Sequence, residues 1–214
     1  MSQAQLKAIR IVDHIWAGLK VSAGQSEKEI AAQIKAKLKE FGSRPAFRII
    51  IASGRRSAQP HGFATDKKIR KGELVVIDFG AVYNGYCTDI TRTITARKST
   101  EKQRKILKIV KEAQRRAIKK VRAGVRCCEV DRAAREYIQK KGFGKYFIHS
   151  TGHGIGQKVH EAPKISKRNR RRLRDGMVIT IEPGIYIKGW GGVRIEDMVL
   201  VTKRGCKVLT KAEK

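Results

Sequence analysis

Acidic side chains, long apolar runs and patterned cysteines are what this sequence has least of, and each shortage closes off a class of protein. Four cysteines occur, Cys87, Cys127, Cys128 and Cys206, with no Cys-x-x-Cys spacing. Neither a disulfide framework nor a structural zinc site is expected, and the thiols should be free. The longest apolar runs, such as Val75 to Ile77 and Val178 to Ile181, fall far short of the ~20 residues that span a bilayer. The amino end spreads Lys7, Arg10 and Asp13 where a secretory signal would be apolar, so a cytoplasmic location is expected. Acids are the sharpest deficit: 19 Asp and Glu stand against 49 Lys and Arg, a formal charge of +30. Such a surface attracts polyanions, making ribosome, nucleic acid or acidic membrane surfaces candidate partners.

The 214 residues are expected to form one domain. Leu6, Ile9, Val12, Ile15, Trp16 and Leu19 recur at helical spacing, and Ser26 with Glu29 makes a capping box for a second helix that Gly42 ends. Phe47 to Ser53 reads as a strand, followed by a polar loop, Gly54 to Asp66, that holds His61 between Pro60 and Gly62. A long helix starts near Thr100, with Gln103 completing its capping box, and another is expected at about Val130 to Lys141. Residues 97–145 carry eighteen Lys and Arg against five acids, and 164–174 carry seven with no acid. These two segments are the expected polyanion footprint. Few aromatics accompany them, so stacking on single-stranded bases is not the expected mode.

The acids that remain are concentrated in two stretches. Leu74 to Thr95 reads as a β-hairpin, because Asn84-Gly85 suits the two positive φ values of a type I′ turn. That register sets Gly80 opposite Asp89 and Asp78 opposite Thr91, so Asp78 and Asp89 are diagonal neighbours with Cβ atoms roughly 7 to 8 Å apart. Val178 to Val201 repeats the plan. With a three-residue loop at Lys188 to Trp190, Glu182 and Glu196 are directly opposed. If the hairpins face each other, four carboxylates converge, which requires cations or raised pKa values. Between the basic segments lie His149, His153 and His160, with His153 flanked by Gly152 and Gly154, which spare bulk and permit unusual backbone angles. Two Asp, two Glu and one His suit a pair of Mn, Co, Fe or Zn ions better than a closed structural zinc. Ions held roughly 3.5 to 4 Å apart would acidify a bridging water into a hydroxide nucleophile.

Asp78, Asp89 within Tyr86 to Thr93, Gly152-His153-Gly154-Ile155-Gly156, Ile181-Glu182-Pro183-Gly184 and Gly192 to Asp197 resemble the five metal-ligand motifs of the pita-bread metallopeptidases. This family includes methionine aminopeptidase, prolidase, aminopeptidase P and creatinase. The short Glu182 to Glu196 separation and Arg194-Ile195-Glu196-Asp197 are similar to the proline-peptidase branch. The resemblance implies an α+β pita-bread fold: a curved, mostly antiparallel sheet with outer helices and two pseudo-twofold halves. It implies that residues 1–214 form a single catalytic domain without the amino-terminal domain of creatinase type. The activity implied is that of a dinuclear-metal exopeptidase cleaving the amino-terminal bond of X-Pro peptides, with Mn or Co ahead of Fe or Zn. Methionine aminopeptidase activity and a basic ribosome- or nucleic-acid-binding module are the alternatives, and a homodimer is a further expectation. By the same resemblance Asp78 chelates one metal, Asp89 and Glu196 bridge both, and His153 and Glu182 complete the other site. Glu182 is also the proton shuttle. His61 and His160 are substrate-side histidines in catalysis, His149 is a further pocket residue, and Arg194 holds Glu196 or contacts substrate.

Overall fold

The computed structural model describes residues 1–214. Its elements are α1 (Gln3–Gly18), α2 (Glu27–Glu40), β1 (Arg44–Pro45), β2 (Ile50–Ser53), β3 (Leu74–Phe79), β4 (Ala81–Tyr83), β5 (Tyr86–Cys87), β6 (Ile90–Thr95), α3 (Glu101–Lys120), α4 (Cys127–Lys140), β7 (Gly152–Gly154), β8 (Glu161–Ile165), β9 (Val178–Ile181), β10 (Gly184–Ile187), β11 (Gly191–Arg194), β12 (Asp197–Val201) and β13 (Cys206–Val208). Short 3₁₀ turns cover Gly54–Ala58 and Gly144–Tyr146. All strand pairings are antiparallel, including a β2-β3-β6 sheet and a β13-β12-β9-β7-β8 sheet. No helix is long and apolar enough to cross a membrane.

Both expected capping boxes form. Ser26 Oγ accepts from Glu29 N at 3.2 Å while Glu29 accepts from Ser26 N at 2.6 Å, and Thr100 and Gln103 repeat the exchange at 3.2 and 2.7 Å. Gly42, at φ +63°, stops the chain just past α2. Two boundaries differ from expectation. The helix expected from Val130 begins at Cys127, because the loop Asn169 to Arg171 accepts the first N–H groups: Cys127 N reaches Arg171 O at 2.9 Å and Cys128 N reaches Asn169 O at 2.8 Å. The strand expected from Phe47 begins at Ile50, since Phe47 and Arg48 leave the sheet to line a pocket. The adjacent cysteines are thus buried, first-turn residues of α4, and all four thiols are free.

Two large apolar clusters divide the molecule, with a third, small one around Ile9, Ile155 and Met198. One joins α1 and α2 to β2 and β3 through Ile30, Ile34, Ile51 and Ile77, and the other joins α3 and α4 to the second hairpin through Ile106, Val110, Ile179 and Val193. Each half is therefore a helix pair packed outside one acidic hairpin. The carboxylates sit where the hairpins meet.

Candidate metal centre and pocket

In the first hairpin Asn84 and Gly85 have φ of 45° and 80°, both in the left-handed region. Tyr83 pairs with Tyr86 across this two-residue turn, and the same register continues to Asp78 opposite Thr91. A Cβ on Gly80 would lie 1.8 Å from Thr88 O, so the chain can close there only around glycine. Asp78 and Asp89 are both buried. In the second hairpin Ile187 pairs with Gly191, leaving Lys188 to Trp190 as the loop. Gly184 pairs with Arg194 and Ile181 with Asp197, so one register runs through the gap and sets Glu182 opposite Glu196.

His153 arrives on β7. A Cβ on Gly152 would sit 1.9 Å from Thr180 O, and one on Gly154 would sit 2.4 Å from Ala162 O. Close approach of neighbouring strands, rather than unusual backbone angles, is what these glycines serve; neither is among the positive-φ positions. His153 Nδ1 lies 3.0 Å from Gly154 O and donates to it, which leaves Nε2 free to face Glu182 Oε1 at 3.4 Å and Asp89 Oδ2 at 3.7 Å.

Asp89, His153 and Glu196 bring one ligand atom each within 4.8 Å of one another. Asp78 and Glu182 line the same cavity but fall outside that tightest trio. Asp78 Oδ1, Asp89 Oδ1 and Glu196 Oε1 are buried and have no hydrogen-bond partner. Buried acceptors are rarely left so, and three on residues lining one cavity fit a cation. The titration behaviour agrees. Burial, then repulsion from Glu196, Asp78 and Glu182, holds Asp89 well above the usual carboxylate range. Burial, then Glu182 and Asp78, does the same to Glu196. Burial raises Glu182 to about 7, with Arg194 opposing and Asp78 adding to the rise. Desolvation lowers His153 to about 4, keeping its imidazole neutral. The donor set, four carboxylates and one neutral imidazole, fits a divalent pair.

Arg194 organises the wall behind this cluster. Its Nη2 donates to Asp78 Oδ2 at 2.6 Å, Nε to Thr91 Oγ1 at 3.0 Å, and Nη1 to Tyr186 OH at 2.7 Å and Pro60 O at 3.2 Å. Arg194 pairs directly with Asp78 on β3 and reaches Glu196 through one residue: the Thr91 hydroxyl that accepts from Arg194 Nε donates to Glu196 Oε2 at 2.7 Å. Tyr186 OH in turn meets His149 Nε2 at 2.9 Å, and His149 Nδ1 meets Ser150 O at 2.8 Å. Burial, then the nearby Arg194 charge, lowers His149 to about 4, so it is a neutral ring accepting from Tyr186. Tyr186 and Thr91 were missing from the sequence-based site. The signal was in the register: Tyr186 pairs with Gly192, which makes it a diagonal neighbour of Arg194.

His61 and His160 are exposed residues on the rim of the same cavity, which has a volume of about 730 Å³. The His160 ring stands edge-on to His153, with centroids 4.4 Å apart. Asp197, beside Glu196, is no part of the centre. It is buried and paired with Arg92 at 2.7 Å, Thr210 and Lys214.

The model of metallopeptidase family M24 matches residues 1–203. The Xaa-Pro dipeptidase of Pyrococcus furiosus is 54% identical over 195 residues, covering 91% of this chain and 56% of that protein. The solved prolidase from Pyrococcus furiosus superposes with a TM-score of 0.97 at 51% identity, covering 99% of this chain and 64% of that one. The Xaa-Pro dipeptidase from Bacillus anthracis gives 0.97 at 45% identity, covering 99% and 61%. The chain thus spans little more than half the length of the curated relatives it matches.

Proposed function

The chain belongs to metallopeptidase family M24 and has its pita-bread fold, and from that premise we propose that it is a dinuclear-metal exopeptidase cleaving the amino-terminal bond of X-Pro peptides. The observation that carries this reading is that three unpartnered buried carboxylate oxygens, on Asp78, Asp89 and Glu196, belong to residues lining one cavity with His153. Asp78 would hold one ion, His153 and Glu182 the other, and Asp89 and Glu196 would bridge them, with Mn or Co favoured over Fe or Zn. When bound, the ions supply Lewis acidity and a water acidified to near neutral pH.

The chain's own residues supply the rest. Glu182 is the carboxyl whose environment puts it near pH 7, the poise suited to taking a proton from water and giving it to the departing nitrogen. His61 and His160, on the rim, would hydrogen-bond the peptide around the scissile bond. His149 stays neutral in the chain from Arg194 through Tyr186, a fixed polar wall against which the substrate is oriented. The unit proposed to carry this chemistry is the single domain of residues 1–214. The Xaa-Pro dipeptidase names of the relatives support X-Pro bonds over initiator methionine.

Metal analysis combined with turnover of Ala-Pro and Met-Ala peptides tests the reading. Two bound ions and faster Ala-Pro cleavage are expected; absence of bound metal and of turnover after Mn or Co loading would overturn it. A second property is proposed from one observation: the isolated bridge between Arg126 and Arg172 brings the two basic segments side by side. Together they would bind polyanions non-specifically, with log affinity for RNA falling steeply against log salt.

A further inference from the structure

Beside the catalytic cavity a second groove of about 570 Å³ opens, sharing His149, Ser150 and Lys164 with it. Its remaining walls include Arg135, Lys167, Arg168 and Ile148, and none of its nine lining residues is acidic. The cations are not equivalent. Arg135 is neutralised by Asp131 at 2.8 Å and donates to Phe147 O and His149 O, so it builds the floor. Lys164, Lys167 and Arg168 are exposed and form no ion pair. The nearest acid along β8, Glu161, is held instead by Lys158 N at 2.8 Å.

Lys164 stands on β8, and Lys167 and Arg168 stand on a fixed loop after it. Asn169 N donates to Ser166 O at 3.1 Å, Asn169 Nδ2 donates to Lys164 O, and the loop carbonyls of Asn169 and Arg171 receive the first N–H groups of α4. Arg170, Arg171, Arg172 and Arg174 follow directly, continuing the positive charge away from the cavity. Ile148, 64% exposed, adds an apolar contact at the groove wall. An enzyme that removes the first residue buries the peptide's amino end in the catalytic cavity, so whatever lies outside the mouth meets the residues downstream of the scissile bond. Each of those extends an outstretched peptide by roughly 3.3 to 3.6 Å.

We propose that this groove is a subsite for acidic side chains downstream of the scissile bond, making acidic peptides longer than dipeptides the preferred substrates. The proposal rests on the peptidase reading for the direction of the chain, and on the groove's own charge for the preference. Lys167 and Arg168 are the residues that would discriminate, since they belong to the groove and not to the catalytic cavity.

The test compares Ala-Pro-Glu-Glu-Glu with Ala-Pro-Ser-Ser-Ser, each tagged at its carboxyl end, on the metal-loaded protein. Binding is read by stopped-flow anisotropy within the first turnover, and cleavage is followed as kcat/KM. The acidic peptide should bind about tenfold tighter at low salt, with two exposed ion contacts each contributing a few-fold, and the gain should appear in KM. Lys167→Ser with Arg168→Ser should reduce the preference to about twofold, and 0.5 M salt should do the same. Lys35→Ser with Lys39→Ser, an equal charge change on α2 in the other half, should retain it. Equal affinity for both peptides overturns the proposal, as does an equal loss in the two double variants. Displacement of the acidic peptide by single-stranded RNA at concentrations below the peptide's own Kd also overturns it and assigns the groove to nucleic acid. Acid-selective binding without cleavage supports the groove and overturns the peptidase reading alone.

Discussion

At the scale of single residues, each centre residue is set by what it cannot otherwise pair with. Glu196 keeps one oxygen on Thr91 and leaves the other without a partner, and Asp89 and Asp78 do likewise or are half-engaged. Replacing Glu196 with Ala removes a carboxylate proposed to bridge the ions. We expect bound metal to fall from two ions to one and kcat to drop by about a thousandfold or more, since the second ion both orients and polarises; elemental analysis beside a rate measurement checks both. His149 offers a test that does not depend on turnover. Its pKa, about 4, lies below the ordinary 6.5, so its contribution to stability is present above pH 6.5 and lost as pH falls through 4. The raised carboxylates change in the opposite sense over much of that window, which makes melting a poor readout. The ring resonances of His149 followed by NMR should titrate near pH 4, and a midpoint near 6.5 would contradict the Tyr186 and Arg194 wall.

At the scale of elements, register does the positioning. The Asn84-Gly85 turn and the Lys188 to Trp190 loop each hold one register through a break in their ladders, and a one-residue slip in either would turn a ligand to the opposite face. β7 is held differently, by strands too close for side chains. Gly152→Ala would force a Cβ into Thr180 O and push β7 from β9. We expect a loss of about 1 to 3 kcal/mol or more, as for other overpacked sites. Metal affinity should fall with it because His153 moves, and denaturant melts paired with metal titration would show both.

At the scale of the whole molecule, two halves are brought together across a cluster of like charges. Burial and mutual repulsion raise Glu182, Asp89 and Glu196 above the ordinary carboxylate range. Their protonated forms are favoured by folding, so this contribution is complete below the unfolded pKa and disappears as pH rises through the folded one. Burial raises Glu182 to about 7, and from about pH 7 upward the unfolded forms of the lowered histidines are mostly deprotonated, so the carboxylates dominate. The melting temperature of metal-free protein should therefore fall between about pH 7 and 8. Added Mn should restore it most at the upper end, where the ligands are ionised. A metal-free melting temperature that is flat or rising across this window would show that the carboxylates are not gathered as described.

What the sequence determined by itself was everything carried by short-range chemistry. Asn-Gly specifies a two-residue turn, period-two alternation decides which face Asp78, Asp89, Glu182 and Glu196 share, and Ser26-Glu29 and Thr100-Gln103 start their helices by bonds three residues long. Those local rules were enough to name the candidate ligand set. Tertiary structure alone decided what those candidates lean on. Arg194 reaches Asp78 from 116 residues away, and a distant loop starts α4 at Cys127. The second groove draws on α4, the segment before β7 and the loop after β8. Such contacts depend on how two independently cored halves dock, and no spacing within one hairpin carries that information.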